Sequence, residues 1–500
     1  MIKKPLPKFI IKDVNMTSIK TLKLSSLALA TLLALSSQVG YADDDEYTFF
    51  TSIQEGKSLS CVRLRYENVD QDTFQPAPNA NKKLDNTYAL TTRTLLGWQT
   101  APYKNFSFGL QLTDVHEFND DFNDRRSNTP EHNNGTANSS LFKRQFANIV
   151  DPGYTDLNQL YADWTGIKNT KFRVGRQQLN LDNTRFIGDI GFRQNMQVFD
   201  GFSVWNKSIP DTELYAGYFY KVRQVNTELR DADTFILNAK YRISPSESVV
   251  GYGYLIDAPN LSQNGGNPTA DSTVAQGGNG LGGSSDLKPS AANFKPYETD
   301  ASSKTFGLRV DGVHPINPDF KVLYTAEYAK QTDYKSGSDL IDAHYFKIGG
   351  GAIYDIFSLR IDHEVLSSNN GKYAFQTPLG TNHLFQGWAD QFLVTPRQGI
   401  KDTYLTAAVT IEKAKILAEY HIFKSDEKFQ TLGFTAANKV YGDKYGTEFD
   451  ISGAYPFTDK ILGKLEYARF NEDDVYGPTL KAPARKADKE IFWVTAQYTF

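Results

Sequence analysis

The sequence predicts an all-β fold: a transmembrane antiparallel β-barrel of about 18 strands, with short periplasmic turns and long extracellular loops. Three observations predict it: an amphipathic strand at the C-terminus, an export signal at the N-terminus, and alternating segments whose connections are short and long in turn. In lipid every backbone N–H and C=O must be paired within the protein, so strands survive there only in a closed barrel.

The C-terminal strand comes first because its pattern is strongest. Phe492, Val494, Ala496, Tyr498 and Phe500 alternate with Trp493, Thr495, Gln497 and Thr499, which puts one apolar and one mostly polar face on a strand. Its aromatic end, Phe500, is the expected handle for the outer-membrane assembly machinery.

At the other end, Lys3, Lys4, Lys8, Lys12, Lys20 and Lys23 precede an apolar run from Leu24 to Leu35, and Gly40-Tyr41-Ala42 offers small residues for cleavage. Residues 1–42 therefore read as a cleaved signal peptide, and residues 43–500 as the barrel. Removing six lysines and one aspartate with the signal leaves 48 basic and 57 acidic residues, a net charge of −9. That balance argues against nucleic acid as a partner. The mean hydropathy of −0.47 and the lack of any later run of ~20 apolar residues exclude a helical inner-membrane protein. They do not exclude a barrel, whose strands spend half their residues on a polar lumen. Cys61 is the single cysteine, which rules out an intrachain disulfide and reads as a plain strand residue.

In chain order, alternating segments fall at 59–67, 88–98, 104–114, 157–164, 171–179, 198–205, 213–222, 234–243, 248–256, 303–312, 320–329, 343–351, 357–365, 401–411, 414–424, 445–455, 461–470 and 490–500. Every second connection is short, as at Thr100 to Tyr103, Ser244 to Glu247 and Pro456 to Lys460. The others are generally longer, above all 115–156, 180–197, 257–302, 366–400, 425–444 and 471–489, and these are expected outside the cell. The Gly, Ser, Asn, Ala and Pro of 257–302 carry no periodicity and read as a mobile external loop. Trp98, Trp164, Trp205, Tyr254, Tyr328, Tyr420 and Tyr455 lie near strand ends, where they suit interfacial girdles.

If the apolar set of each strand faces lipid, the opposite set faces the pore. It contains Arg63, Arg65, Arg93, Lys240, Arg242, Arg309 and Arg360, together with Glu327, Asp362, Glu364, Glu419, Glu448 and Asp450. Charges of both signs imply separated patches that orient a solute rather than one strong ion preference. The densest candidate is 171–205, where Arg173, Arg176, Arg185 and Arg193 are interleaved with glutamines and asparagines. Guanidinium forks pair carboxylates and amides bond hydroxyls, so the mixture suits an acidic or hydroxyl-rich solute such as a sugar chain. Strict alternation from Phe172 and Val174 would point Arg176 outward unless Gly175 carries a bulge.

GRQQLNLDNTRFIGDIGFRQNMQVFD, followed far downstream by HLFQGWADQFLVTP from His383 to Pro396 and by Asp402-Thr403-Tyr404-Leu405, resembles the alginate-export family of outer-membrane porins. The resemblance implies a monomeric barrel whose best-known members pass an anionic polysaccharide through an arginine-lined constriction. By motif match, Arg176, Arg185, Arg193 and Asp200 would belong to that region, with Trp388, Asp390 and Thr395-Pro396 in the second block. The lumen carries more acids than an all-arginine tunnel would want, so the expected solute is hydrophilic, of anionic or carbohydrate character.

A passive outer-membrane channel is therefore the leading reading, with lipid and lipopolysaccharide around it. An outer-membrane enzyme would need a nucleophile and base in register. The seven histidines form no HExxH and no GxSxG accompanies them. A secreted polysaccharide-binding β-protein is the third class, and a soluble pool on fractionation would mark it. No cofactor is expected, because the acidic runs at Asp43 to Glu46 and Asp231 to Asp233 lack the spacing of a metal site.

Overall fold

The computed structural model describes residues 47–72, 83–124, 145–258, 302–431, 440–474 and 487–500. Among the described residues, 18 strands form one closed antiparallel barrel. They are β1 (Cys61–Gln71), β2 (Thr87–Gln99), β3 (Phe106–Glu117), β4 (Tyr154–Trp164), β5 (Thr170–Gln177), β6 (Val198–Asn206), β7 (Thr212–Arg223), β8 (Leu229–Ser244) and β9 (Glu247–Asp257). The second half comprises β10 (Ser303–Pro315), β11 (Phe320–Asp333), β12 (Asp342–Tyr354), β13 (Phe357–Leu366), β14 (Ile400–Ile411), β15 (Ala414–Gln430), β16 (Tyr441–Pro456), β17 (Ile461–Glu472) and β18 (Lys489–Thr499). Each pairs with its sequence neighbours, and β1 closes on β18 from Cys61 opposite Thr499 to Gln71 opposite Lys489. Closure leaves no unpaired edge in the membrane.

The alternation does what the pattern requires. On β3, Phe106, Phe108, Leu110 and Leu112 face outward while Ser107, Gln111 and Thr113 are buried inside. Tight turns hold the periplasmic end, with Asn169, Asp211, Asp355 and Glu412 at positive φ. A short helix, α1 (Phe49–Gln54), packs there as well, its Ile53 carbonyl accepting the Trp98 indole N–H at 2.7 Å. Cys61 is a buried strand residue with a free thiol.

The signal peptide expected at 1–42 lies outside the described residues, as does most of the 257–302 segment. Two expectations are corrected. The connections at 180–197 and 366–400 are not external loops; they fold inward and their residues are mostly buried against lumen-facing side chains. Their amides, arginines and rings find polar and aromatic partners on the barrel wall, which water outside would not replace with the same packing. Tyr254 is no girdle residue either: it is 3% exposed and its ring lies 5.8 Å from that of Phe186 in the filled lumen. Trp205 also sits on the inner register, opposite the buried Tyr215.

Candidate constriction inside the barrel

Two segments between strands build the site: an N-terminal inner segment after β5, residues 178–197, and a C-terminal one after β13, residues 367–399. Neither could continue as a strand. Asp182, Thr184 and Ile190 in the first and Gln386, Gly387 and Asp390 in the second have positive φ, which breaks an extended ladder. Gly387 is required at its place: its φ is +80°, and an added Cβ would stand 2.4 Å from the Glu448 carboxyl carbon.

The two segments lock together before they meet the wall. Gly188 N–H donates to the Leu379 carbonyl and Thr381 N–H to the Thr184 carbonyl, both at 2.9 Å. The Gln197 amide donates to the Gly188 carbonyl at 2.8 Å and the Leu379 carbonyl at 3.0 Å. This sidesteps unpaired backbone groups inside the barrel.

Buried charges then fasten the pair to the barrel. Arg193 reaches Glu67 on β1 at 3.1 Å, Asp390 on the C-terminal segment at 2.7 Å and Asp151 at 3.7 Å. Burial works against its charge, but Glu67, Asp151 and Asp390 together hold its pKa above the ordinary arginine value. Burial likewise pushes the Asp390 carboxyl up, yet His383 at 2.8 Å, Arg193 and Lys489 hold it well below the usual carboxylate range. Arg185 pairs with the fully buried Glu364 on β13 at 2.9 Å and donates to Gln386 at 2.9 Å. The imidazole of His383 stacks on Phe192 with ring centroids 3.4 Å apart.

The wall arginines near this point behave differently. Arg63 donates to the carbonyls of Gly191 at 2.8 Å and Phe192 at 3.2 Å and to the Gln497 side chain at 3.0 Å. Arg65 donates to the Phe192 carbonyl at 2.5 Å and lies over that ring at 4.3 Å. Arg93 donates to the Arg193 carbonyl at 3.2 Å. None of the three forms an ion pair with a carboxylate among the described residues, so β1 and β2 carry a positive patch.

Elsewhere the arginines are neutralised. Arg173 forks onto Asp163 at 2.6 and 2.7 Å beneath the Tyr161 ring, Arg360 onto Asp362 at 2.5 and 2.7 Å, and Arg309 pairs with Asp311 at 3.0 Å. Arg176 forks onto Asp200 at 2.7 and 2.9 Å. The register keeps it in step with Phe172 and Val174, opposite Leu160 and Asp200, although Gly175 has φ +120°. Arg176, Arg185 and Arg193 thus do not form one group, since each is held by its own carboxylates. Glu327 accepts from the Tyr252 hydroxyl at 2.8 Å, Glu419 from the Thr406 hydroxyl at 2.7 Å, and Glu448 from the Ala389 N–H at 2.5 Å.

Sequence reasoning missed three members of this assembly. Asp151 completes the Arg193 cage, Lys489 donates to the Ala389 carbonyl at 2.7 Å, and the fully buried Arg223 pairs with Asp156 at 2.8 Å and bonds Asn158 at 2.8 Å. Lys489 begins β18 on the same inward parity as Trp493, which was a usable signal. Asp151 lies in no periodic segment and offered none.

With this geometry established, comparison with known proteins decides the family. The alginate export family model matches residues 60–488. The chain belongs to the alginate-export family. Solved β-barrel structures share the fold of this chain. Pseudomonas aeruginosa OccK9 (OpdG) has TM-score 0.57 and 13% identity, covering 89% of this chain and 98% of its own. Acinetobacter baumannii OccAB4 has TM-score 0.58 and 12% identity, covering 88% and 97%. No curated protein matches. This member of the family is an outer-membrane porin channel. Its arginine trio on β1 and β2 holds the N-terminal inner segment through the carbonyls of Gly191, Phe192 and Arg193.

Proposed function

We propose that this porin passes an anionic or hydroxyl-rich solute, of the sugar-acid or acidic-oligosaccharide class, passively across the Gram-negative outer membrane. The carrying observation is the trio Arg63, Arg65 and Arg93, whose charges meet carbonyl, amide and hydroxyl oxygens but no carboxylate among the described residues. Arg63 is the partly exposed member that a solute carboxylate can reach, while Arg65 and Arg93, 3% and 2% exposed, add to the positive field behind it, in a confined space where salt screens little. The acidic group of Glu419, Glu448 and Asp450 stands on β15 and β16, separated from β1 in the closed order by β17 and β18. Patches of opposite sign at that spacing orient a solute instead of admitting every anion.

In this reading the protein works as a channel with no catalytic step, as a single chain, inserted by the outer-membrane assembly machinery and delivered by a signal peptide cut after Ala42. N-terminal sequencing of the mature protein tests the cleavage. Planar-bilayer conductance with neutral sugars and sugar acids as blockers tests the solute. Block by sugar acids at concentrations where neutral sugars of equal size do nothing supports the reading, and equal block by both refutes it.

A further inference from the structure

We propose that Glu419, His421 and Asp450 bind one divalent transition-metal cation of the Zn²⁺ class on the inner wall of the barrel. Pairing of β15 with β16 sets the three together: Glu419 lies opposite Asp450, and His421, two residues on, shares their inward face. One ligand atom from each lies within 4.8 Å of the others.

The decisive feature is the imidazole. His421 is 3% exposed, and its Nδ1 lies 2.9 and 3.1 Å from the two carboxylate oxygens of Asp402 on β14. With Nδ1–H donated there, Nε2 is left as a lone-pair donor, and it has no hydrogen-bond partner. It faces Asp450 Oδ2 at 3.7 Å and Glu419 Oε2 at 4.0 Å. Those separations are too long for hydrogen bonds. They approach the spacing of two atoms that share a cation, each about 2.0–2.2 Å from the ion. Asp450 Oδ1 is a second buried atom without a partner. A carboxylate that orients a histidine so that its other nitrogen meets a metal is the usual outer support of such sites, and Asp402 stands in that position.

Charge and chemistry agree. Four carboxyl groups, from Asp402, Glu419, Glu448 and Asp450, surround this one imidazole, an excess of negative charge that a dication offsets. A mixed nitrogen and oxygen donor set favours Zn²⁺ over Ca²⁺, which takes oxygen ligands. Glu419 is the partly exposed member, which gives the ion a route from the lumen. Asp450 also accepts from the Trp388 N–H at 3.3 Å, so the ion would sit against the C-terminal inner segment.

The test uses the full, detergent-purified, heat-modifiable protein, stripped with EDTA and titrated calorimetrically with ZnCl₂ and, in parallel, CaCl₂. One Zn²⁺ per chain, with Ca²⁺ at least tenfold weaker, is the expected result. Glu419→Gln and Asp450→Asn should each weaken Zn²⁺ binding at least tenfold, and Asp402→Asn by roughly 10–100-fold. Glu419→Gln carries the decision should the buried variants not assemble, because its side chain reaches the lumen and keeps its shape. Failure of the wild type to bind one equivalent, or unchanged binding by Glu419→Gln, would overturn the site and leave His421 as a hydrogen-bonding partner of Asp402. Equal affinity for Ca²⁺ would overturn the metal class.

Discussion

Replacing Arg193 by alanine should release the inner segments while leaving the barrel closed. The guanidinium holds Glu67, Asp151 and Asp390, two of them essentially buried and the third 5% exposed. Removing one partner of a buried ion pair costs about 3–5 kcal/mol, because the remaining charges stay desolvated and unpaired. Every 1.4 kcal/mol is tenfold, so the population with a released segment should rise by roughly two to four orders of magnitude. The strand ladders do not pass through Arg193, and β1 still pairs with β18 over its full length. Heat-modifiability should therefore persist while single-channel recordings show a larger, noisier conductance and trypsin gains access to Arg185. Arg193→Lys should restore charge but not the fork and fall between the two. Adding Asp390→Asn to Arg193→Ala should cost less than the sum of the single changes. Wild-type conductance and wild-type protection in Arg193→Ala would refute the anchoring argument.

Arg63→Gln should move the reversal potential in a salt gradient toward cations and weaken block by a sugar acid by about 1.5–3 kcal/mol, the worth of a hydrogen bond to a charged group; blocker titration in bilayers reads both. Asp390 has a depressed folded-state pKa, so its stabilisation is complete above the unfolded value of about 3.9 and is lost only as pH falls through the lower folded value. The Arg193–Asp390 contact itself should accordingly hold from pH 8 to about pH 5 and be lost only below about pH 4, read as the pH at which trypsin-like cleavage at Arg185 appears in the assembled barrel. Gly387→Ala should loosen the C-terminal inner segment by about 1–3 kcal/mol, through positive φ and the Glu448 contact, visible as increased protease sensitivity of an assembled barrel. Phe500, exposed and edge-on to Tyr498 at 4.9 Å, should not tolerate aspartate: the heat-modifiable fraction should drop while export is unchanged in a fractionation assay.

The barrel was legible in the chain because its rule is local. A strand between lipid and lumen must alternate with period two, as Phe106 to Thr113 on β3 and Phe492 to Thr499 on β18 do, and the alternation of short and long connections then marks which end faces the periplasm. Strand number, antiparallel order, closure and the inward side of Arg63, Arg93, Glu327, Glu419 and Glu448 all follow from that pattern. The tertiary structure alone decided what fills the lumen. Arg193 meets Glu67 across 126 residues and Asp390 across 197, and no periodicity links such positions. The segments 180–197 and 366–400 look like outside loops because they are polar and irregular. They turn inward because buried arginines, amides and carboxylates there satisfy one another, an arrangement whose free energy depends on partners brought together only when β1 closes on β18.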